Sequence, residues 1–544
     1  MHHPAAPARR SPAACGGAEP AWPTRGLRQS LAQLALLLSL LVLWLPGARA
    51  EAGATVQTAA GRLQGRVVDG LAVFRGIPYA RAPVGALRWQ PPQALPPWRG
   101  VREAGTNGAA CTQTPGPSLE GGGDPGPLSE DCLFLNIWAP ADAAAAPGPR
   151  PVLVWLHGGA LVLGAGGLDI YDGAALARQG LVVVTLNYRL GPLGYFNHPA
   201  LEARSPDGAM NFGLLDQIAA LRWVQRHIAA FGGDPRQITV AGQSAGAQSV
   251  LALLAAPPAR GLVQRAIVQS AYGIPSHSRA QARAAGVRLA SAVGLPGARA
   301  SLTQLRRVPA AQLVAQAGPG RSLAPSLIVG DAAMPQALLP AFQAGRQAAV
   351  PLLIGSTSHE ASVALAFGLQ PAVLVQQLGA ARILLAPLYP GVTDEAELGR
   401  QVVRDVAFTA FARRIAVLQS RRAPVWRYHF DRLPEAARGT QPGVAHGGEV
   451  PAVFGTGDLC RCLAVPLSDA DRQAWQRVSA RWAAFARGGP PDTAAGPAWP
   501  RDSRWQPVVL EFGETEAVVP DFMRQRLDTL VAGLALAGWF AGSR

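Results

Sequence analysis

Gly242-Gln243-Ser244-Ala245-Gly246 sets a serine between two glycines, each two residues away, a spacing suited to nucleophilic acyl transfer. The apolar run Ile238-Thr239-Val240-Ala241 precedes it, and a small-residue, helix-compatible stretch, Ala247 to Ala255, follows. Strand, sharp turn and helix in that order project a serine hydroxyl outward from a tight backbone, and bulky neighbours at the flanking positions would clash. A chain rich in Gly and Ala can produce a lone G-x-S-x-G by chance, so the chemistry depends on partner groups. The first lies upstream. Pro151-Val152-Leu153-Val154-Trp155-Leu156 reads as a buried strand that ends in His157-Gly158-Gly159-Ala160. An attacked carbonyl gathers negative charge on its oxygen, and preorganised backbone N–H groups lower that barrier. A loop of small residues lets the backbone approach, and Ala245, directly after the serine, supplies another N–H. The plain alternative for His157-Gly158-Gly159 is an ordinary β-turn.

The elements that must hold these groups occupy most of the 544 residues, but not the first 50. There, Arg25 and Arg28 precede an apolar run from Leu31 to Leu45, then Pro46-Gly47 and Ala48-Arg49-Ala50. A charged segment, an apolar segment and an A-x-A site are the parts of a secretory signal peptide, and the run is shorter than the roughly 20 residues of a spanning helix. The expected arrangement is a signal peptide over 1–50 and one domain over 51–544, beginning at Glu51 and exported to the periplasm or secreted. An uncleaved membrane anchor is the alternative; after cleavage no stable membrane insertion is expected. No repeat or low-complexity linker divides the remainder. The net charge is +15, and with five Arg and one Glu in the first 50 residues the remainder carries +11. All the basic residues are Arg. Such charge can attract nucleic acid or anionic substrates, but no run of the sequence interleaves clustered Arg with aromatics, so nucleic acid is not an expected partner. Once Cys15 leaves with the signal peptide, four cysteines remain, an even number in an exported chain. Cys111 and Cys132 flank the longest Gly/Pro-rich segment. Cys460-Arg461-Cys462 leaves three readings: two buried thiols, a bridge within the tripeptide, or half a metal site. With no second Cys pair, a zinc site is not expected.

Longer motifs narrow the reading. Ser129-Glu130-Asp131-Cys132-Leu133-Phe134-Leu135-Asn136-Ile137-Trp138, Asn187-Tyr188-Arg189-Leu190-Gly191, Asn211-Phe212-Gly213-Leu214-Leu215-Asp216-Gln217 and Phe231-Gly232-Gly233-Asp234-Pro235 stand in that order before the serine turn. Together they resemble the type-B carboxylesterases, the family that includes the cholinesterases, from about residue 55 to about residue 510. The resemblance implies an α/β-hydrolase fold, an α/β architecture with a largely parallel central sheet flanked by helices. It also implies a Cys111–Cys132 disulfide and oxyanion donors at Gly159, Ala160 and Ala245, with Gly158 shaping the turn.

An acid and a base must follow the serine in that order. Gly443-Val444-Ala445-His446-Gly447-Gly448-Glu449, with Phe454-Gly455 beyond, resembles the family's histidine loop and makes His446 the candidate base. Among the other histidines, His227 reads as helical and His429 as part of a strand. For the acid, Pro351-Leu352-Leu353-Ile354-Gly355 reads as a strand, with Glu360 in the loop after it. The family places its acid in Asp-Glu-Gly, whereas this chain has His359-Glu360-Ala361. Asp405 and Glu449 are therefore the alternatives. Many members of the family carry Glu before the serine; Gln243 stands here, which removes a carboxylate that would favour a protonated imidazole.

The expected activity is hydrolysis of small-molecule carboxylic esters by Ser244, Glu360 and His446, with no metal or organic cofactor. The rival from another class is a non-catalytic adhesion or scaffold protein on the same fold. Choline esters are expected to be poor substrates. In the cholinesterases a tryptophan in the first disulfide loop binds the quaternary ammonium, whereas no aromatic residue lies between Cys111 and Cys132. Trp89 and Trp98 are the remaining candidates for such a platform.

Overall fold

The computed structural model describes residues 53–114, 123–142, 148–204, 208–274, 276–317, 326–377, 379–459 and 462–536. The expected signal peptide, its anchor alternative, Cys15 and Cys460 lie outside them. Short apolar runs build the centre. Val182–Leu186 is buried at every position, as is Leu352–Thr357, the pattern of strands covered on both faces. Seven such strands pair in parallel, in the spatial order Val182–Leu186, Arg150–Leu156, Gly233–Gln243, Arg265–Gln269, Leu352–Thr357, Val425–Phe430 and Val508–Phe512. Antiparallel strands extend the sheet at both ends: Phe134–Pro140 and the amino-terminal strands on one side, Glu516–Pro520 on the other.

Side-chain alternation divides the core. Val152, Val154 and Leu156 face one apolar cluster, covered by the helices Phe212–His227, Ala245–Ala255 and Ala410–Gln419. Leu153 and Trp155 face the other, covered by Val450–Phe454 and Asp469–Ala486. The fold class read from the sequence is the one found. The serine strand proves longer than its apolar run, Gly233–Gln243, because Gly233 also pairs with Arg150 ahead of a shift in register at Ile238.

The chain order places the crevice. From Arg150–Leu156 the chain winds to Val182–Leu186 on one side, then returns past it to Gly233–Gln243 on the other. The order reverses between Leu156 and Gln243, and ligands of open parallel sheets bind outside the carboxyl ends of strands at such a point. The loops after Leu156 and Gln243 are the two that sequence reading singled out.

Two cross-links fix this end of the sheet. Arg189 donates from Nε and Nη2 to both oxygens of Asp216, at 2.7 Å each, and its backbone N–H reaches Oδ2 at 3.0 Å. The pair is buried, with the two side chains 4% and 0% exposed. Removing one partner of such a pair costs about 3–5 kcal/mol, because the other charge is stranded. The second link is the disulfide between Cys111 and Cys132, 21 residues apart. Closing a loop of that length stabilises by about 3 kcal/mol on entropic grounds. Cys462 is also disulfide-bonded, which removes the free-thiol reading for that residue.

Candidate active site

Ser244 sits alone between the end of its strand and the start of the helix Ala245–Ala255, at φ 54° and ψ −122°. A non-glycine residue there costs on the order of 1–3 kcal/mol and persists only if its surroundings hold it. Its N–H donates to the Gln269 carbonyl and its own carbonyl accepts from the Gln248 N–H, both at 2.9 Å. The motif glycines are explained by crowding. A Cβ on Gly246 would lie 2.0 Å from the Leu156 carbonyl oxygen, and one on Gly242 would lie 2.6 Å from the Gly246 carbonyl carbon. The helix can begin this close to the neighbouring strand only without side chains.

That neighbouring strand leads into the loop expected to supply oxyanion donors. Gly159, Ala160 and Leu161 all take positive φ, at 99°, 54° and 63°. The Gly159 carbonyl closes the turn by accepting from Val162 and Leu163, at 2.9 Å each. Gln113, just beyond Cys111, clamps the loop from outside: its amide donates to the Gly164 carbonyl and accepts the Gly164 N–H, both at 2.9 Å. His157 stacks on Tyr188 at 4.4 Å, and the Tyr188 hydroxyl donates to the His157 carbonyl at 2.7 Å. Burial pushes the His157 pKa down to about 4, so it is neutral at pH 7 and serves as a wedge. Ala245 opens its helix, so its N–H has no intrahelical acceptor. Among the described residues no other acceptor takes that N–H or those of Gly159 and Ala160.

The loops of Glu360 and His446 follow adjacent strands and are laced together. The Ser358 hydroxyl accepts the Val444 N–H at 2.9 Å, the His359 N–H donates to the Val444 carbonyl at 2.9 Å, and the Ser362 hydroxyl accepts the His446 N–H at 2.8 Å. This lacing brings His446 Nδ1 into hydrogen-bond contact with Glu360 Oε2. The other oxygen of Glu360 accepts from the Thr357 N–H at 2.7 Å and the Ser270 hydroxyl at 2.6 Å. Glu360 is wholly buried and the His446 side chain is 6% exposed.

The two alternative acids stand elsewhere. Asp405 is ion-paired with Arg404 and Arg526. Glu449 is buried and accepts from Gln269 and from the Tyr428 hydroxyl. Burial, and then the nearby Glu360 carboxylate, push the Glu449 pKa up to about 7. His429 and His227 take the structural places expected: His429 is buried in the strand Val425–Phe430 and His227 ends the helix Phe212–His227.

Sequence reasoning noted Gln243 only for the carboxylate it lacks. The structure adds a contact: the Gln243 amide lies 3.1 Å from His446 Nε2. With the Nδ1 proton donated to Glu360, Nε2 of a neutral imidazole is an acceptor, and the amide N–H donates to it. Gln243→Glu replaces that donor with a negative charge, which favours imidazolium. The acid limb of kcat/KM against pH is expected to move upward by about 1 unit or more; an unmoved limb would remove Gln243 from the electrostatics of the base. Phe408, whose ring lies 5.1 Å from that of His446, and Ser270 also carried no local signal in the sequence.

The carboxylesterase family model matches residues 52–382 and 393–529. The chain belongs to the carboxylesterase family. Among curated relatives, this carboxylesterase is 36% identical to para-nitrobenzyl esterase of Bacillus subtilis (strain 168), over 82% of this chain and 93% of the relative. It is 34% identical to fumonisin B1 esterase of Sphingopyxis macrogoltabida, over 84% of this chain and 86% of the relative. Among solved structures, a carboxylesterase of Geobacillus stearothermophilus superposes with a TM-score of 0.76 at 32% identity, covering 88% of this chain and 100% of the other. The protein is a carboxylic ester hydrolase acting on small-molecule esters. Neither candidate aromatic platform stands free for a ligand. Trp89 is buried, stacked on Phe196 at 4.6 Å, and donates to the Pro192 carbonyl. Trp98 donates to the Arg62 carbonyl and lies beneath the Arg102 guanidinium. Among the described residues, no helix of this esterase is long and apolar enough to cross a membrane.

Proposed function

We propose that the esterase works through a Ser244–His446–Glu360 triad and an acyl-enzyme. The observation that carries this reading is the hydrogen bond from His446 Nδ1 to Glu360, made by a histidine whose other nitrogen meets the residue adjoining Ser244. His446 Nε2 takes the Ser244 hydroxyl proton as Oγ attacks the ester carbonyl. Glu360 holds the ring in the required tautomer and stabilises the imidazolium that forms. Gly159, Ala160 and Ala245 donate their N–H groups to the tetrahedral oxyanion. The imidazolium returns its proton to the leaving alcohol as the C–O bond breaks. Water, deprotonated by His446, then attacks the acyl carbonyl and releases the acid and free Ser244. The adhesion or scaffold reading has no need of strained backbone at Ser244 or of unclaimed donors beside it. A fluorophosphonate is expected to label the protein covalently at Ser244, with no label at any residue of Ser244→Ala; an unlabelled parent would favour the scaffold.

Substrates are uncharged or anionic esters. Cation–π contact with a desolvated quaternary ammonium contributes about 2 kcal/mol or more, and neither Trp89 nor Trp98 stands free to supply it. The kcat/KM for butyrylthiocholine is expected to fall at or below that for an uncharged thioester of equal acyl length; a tenfold preference for the choline compound would refute this. Export completes the proposal: residues 1–50 are removed as a signal peptide and the single domain 51–544 functions in the periplasm or outside the cell. Amino-terminal sequencing of protein from that compartment should begin at Glu51, and an intact leader there would refute cleavage.

A further inference from the structure

A cleft of about 490 Å³ opens where three distant stretches of chain meet. The helix Ala410–Gln419 and the turn after it bring Arg413, Arg414 and Arg421; the loop before Val508 brings Arg504 and Trp505; the helix Arg524–Leu536 brings Arg524 and Asp528. Five guanidinium groups therefore converge on one concavity. Two carboxylates answer them. Asp528 takes a bidentate pair from Arg413 and a further contact from Arg524, which also pairs with Asp521. Among the described residues Arg414, Arg421 and Arg504 have no ion pair, so three positive charges stay uncompensated.

The fold bears a cost for this arrangement. Burial, followed by repulsion from Arg421 and Arg504, lowers the Arg414 pKa. Arg413 is 3% exposed, and its buried Nη1 has no hydrogen-bond partner among the described residues. Between the arginines the cleft is lined by apolar side chains, the buried Val417, the half-buried Val531 and the exposed Ala532 and Ala535. Trp505, 86% exposed, stands at the rim with the Arg504 guanidinium 5.2 Å from its ring centre.

We infer that this cleft is a second, non-catalytic binding site for a small molecule carrying linked phosphoryl groups. Guanidinium forks match phosphoryl oxygens two at a time. Two linked phosphoryl groups carry roughly three negative charges at pH 7, which equals the uncompensated surplus. The volume lies within the range of small-molecule sites, about 300–1,000 Å³, and leaves room beyond the phosphates for a part that packs on Val417 and Val531.

Calorimetric titration of the mature protein with inorganic pyrophosphate tests this, with chloride at matched ionic strength as the control. The expected result is saturable binding of one pyrophosphate per chain, weakened at least tenfold in Arg421→Gln/Arg504→Gln. Both residues lack ion pairs, so that variant should fold, hydrolyse p-nitrophenyl acetate at the parental rate, and melt at a higher temperature than the parent when no anion is present. Binding unchanged in the double variant, or heat no greater than with chloride, would overturn the site. Phosphatidylglycerol vesicles form the second arm: pyrophosphate that displaces the protein from vesicles, or no vesicle binding, supports a small-molecule site. Vesicle binding that pyrophosphate does not compete for would overturn it in favour of a membrane contact.

Discussion

Ser244→Ala is expected to lower kcat on the order of 10⁶-fold, the scale of losing a serine nucleophile from a triad. The effect should be this large because the turn presents a single side chain to the oxyanion donors. Alanine at φ 54° is strained as serine is, so the backbone has no cause to relax, and the Gln269 and Gln248 hydrogen bonds to residue 244 use only main-chain atoms. The variant should therefore melt near the parental temperature, which separates lost chemistry from lost fold. A residual rate of about 10³–10⁴ over water would remain from the oxyanion donors and binding alone. Rates on p-nitrophenyl acetate measure both terms. Hydrolysis near the parental rate would show that another nucleophile does the work.

Glu360→Gln should lower kcat by about 10⁴-fold, the cost of trapping a triad histidine in the wrong tautomer. Glu360 accepts three hydrogen bonds: two at one oxygen, from Thr357 and Ser270, and one at the other, from His446. A glutamine has a single acceptor oxygen. Keeping it toward Thr357 and Ser270 satisfies two donors and turns the amide NH₂ toward His446 Nδ1. The ring must then carry its proton on Nε2, where it cannot accept the proton of Ser244. Glu449→Gln should spare kcat at pH 7, because an amide oxygen still accepts from Gln269 and Tyr428. Asp405→Asn should weaken the fold, since Arg404 and Arg526 lose a partner, yet leave the rate per folded molecule close to the parent. Kinetics normalised to folded protein decide. A greater loss at either alternative acid would transfer the role from Glu360.

The parts of this site that the sequence discloses are those held within one stretch of chain. Ser244 and the loop from His157 to Ala160 are continuous motifs, and their strand contexts are unbroken apolar runs. The acid was harder, because Glu360 and Asp405 both fall between Ser244 and His446 and Glu449 lies three residues beyond the histidine. Their difference is tertiary: the Ser358–Val444 and Ser362–His446 hydrogen bonds draw the loop of Glu360 against His446, some 86 residues on. Gln243 and Phe408 also meet His446 from far along the chain, the former 203 residues away, which no local pattern records. Trp89 shows the converse, an aromatic that a linear reading could offer to a ligand but that packing commits to the core. The arginine cleft escaped for the same reason, since residues 413, 421, 504 and 524 are scattered in sequence and clustered in space.

The strained turn at Ser244 also bears on how this chain can change. Its backbone is least comfortable at the residue it can least replace. Glycine occupies that φ without strain, so a substitution that abolishes activity there would relieve the fold. Robustness and turnover therefore pull in opposite directions at one codon. The surrounding sheet must hold enough reserve to keep that residue in place. Lineages selected only for durability would be expected to shed the serine first, leaving the scaffold intact.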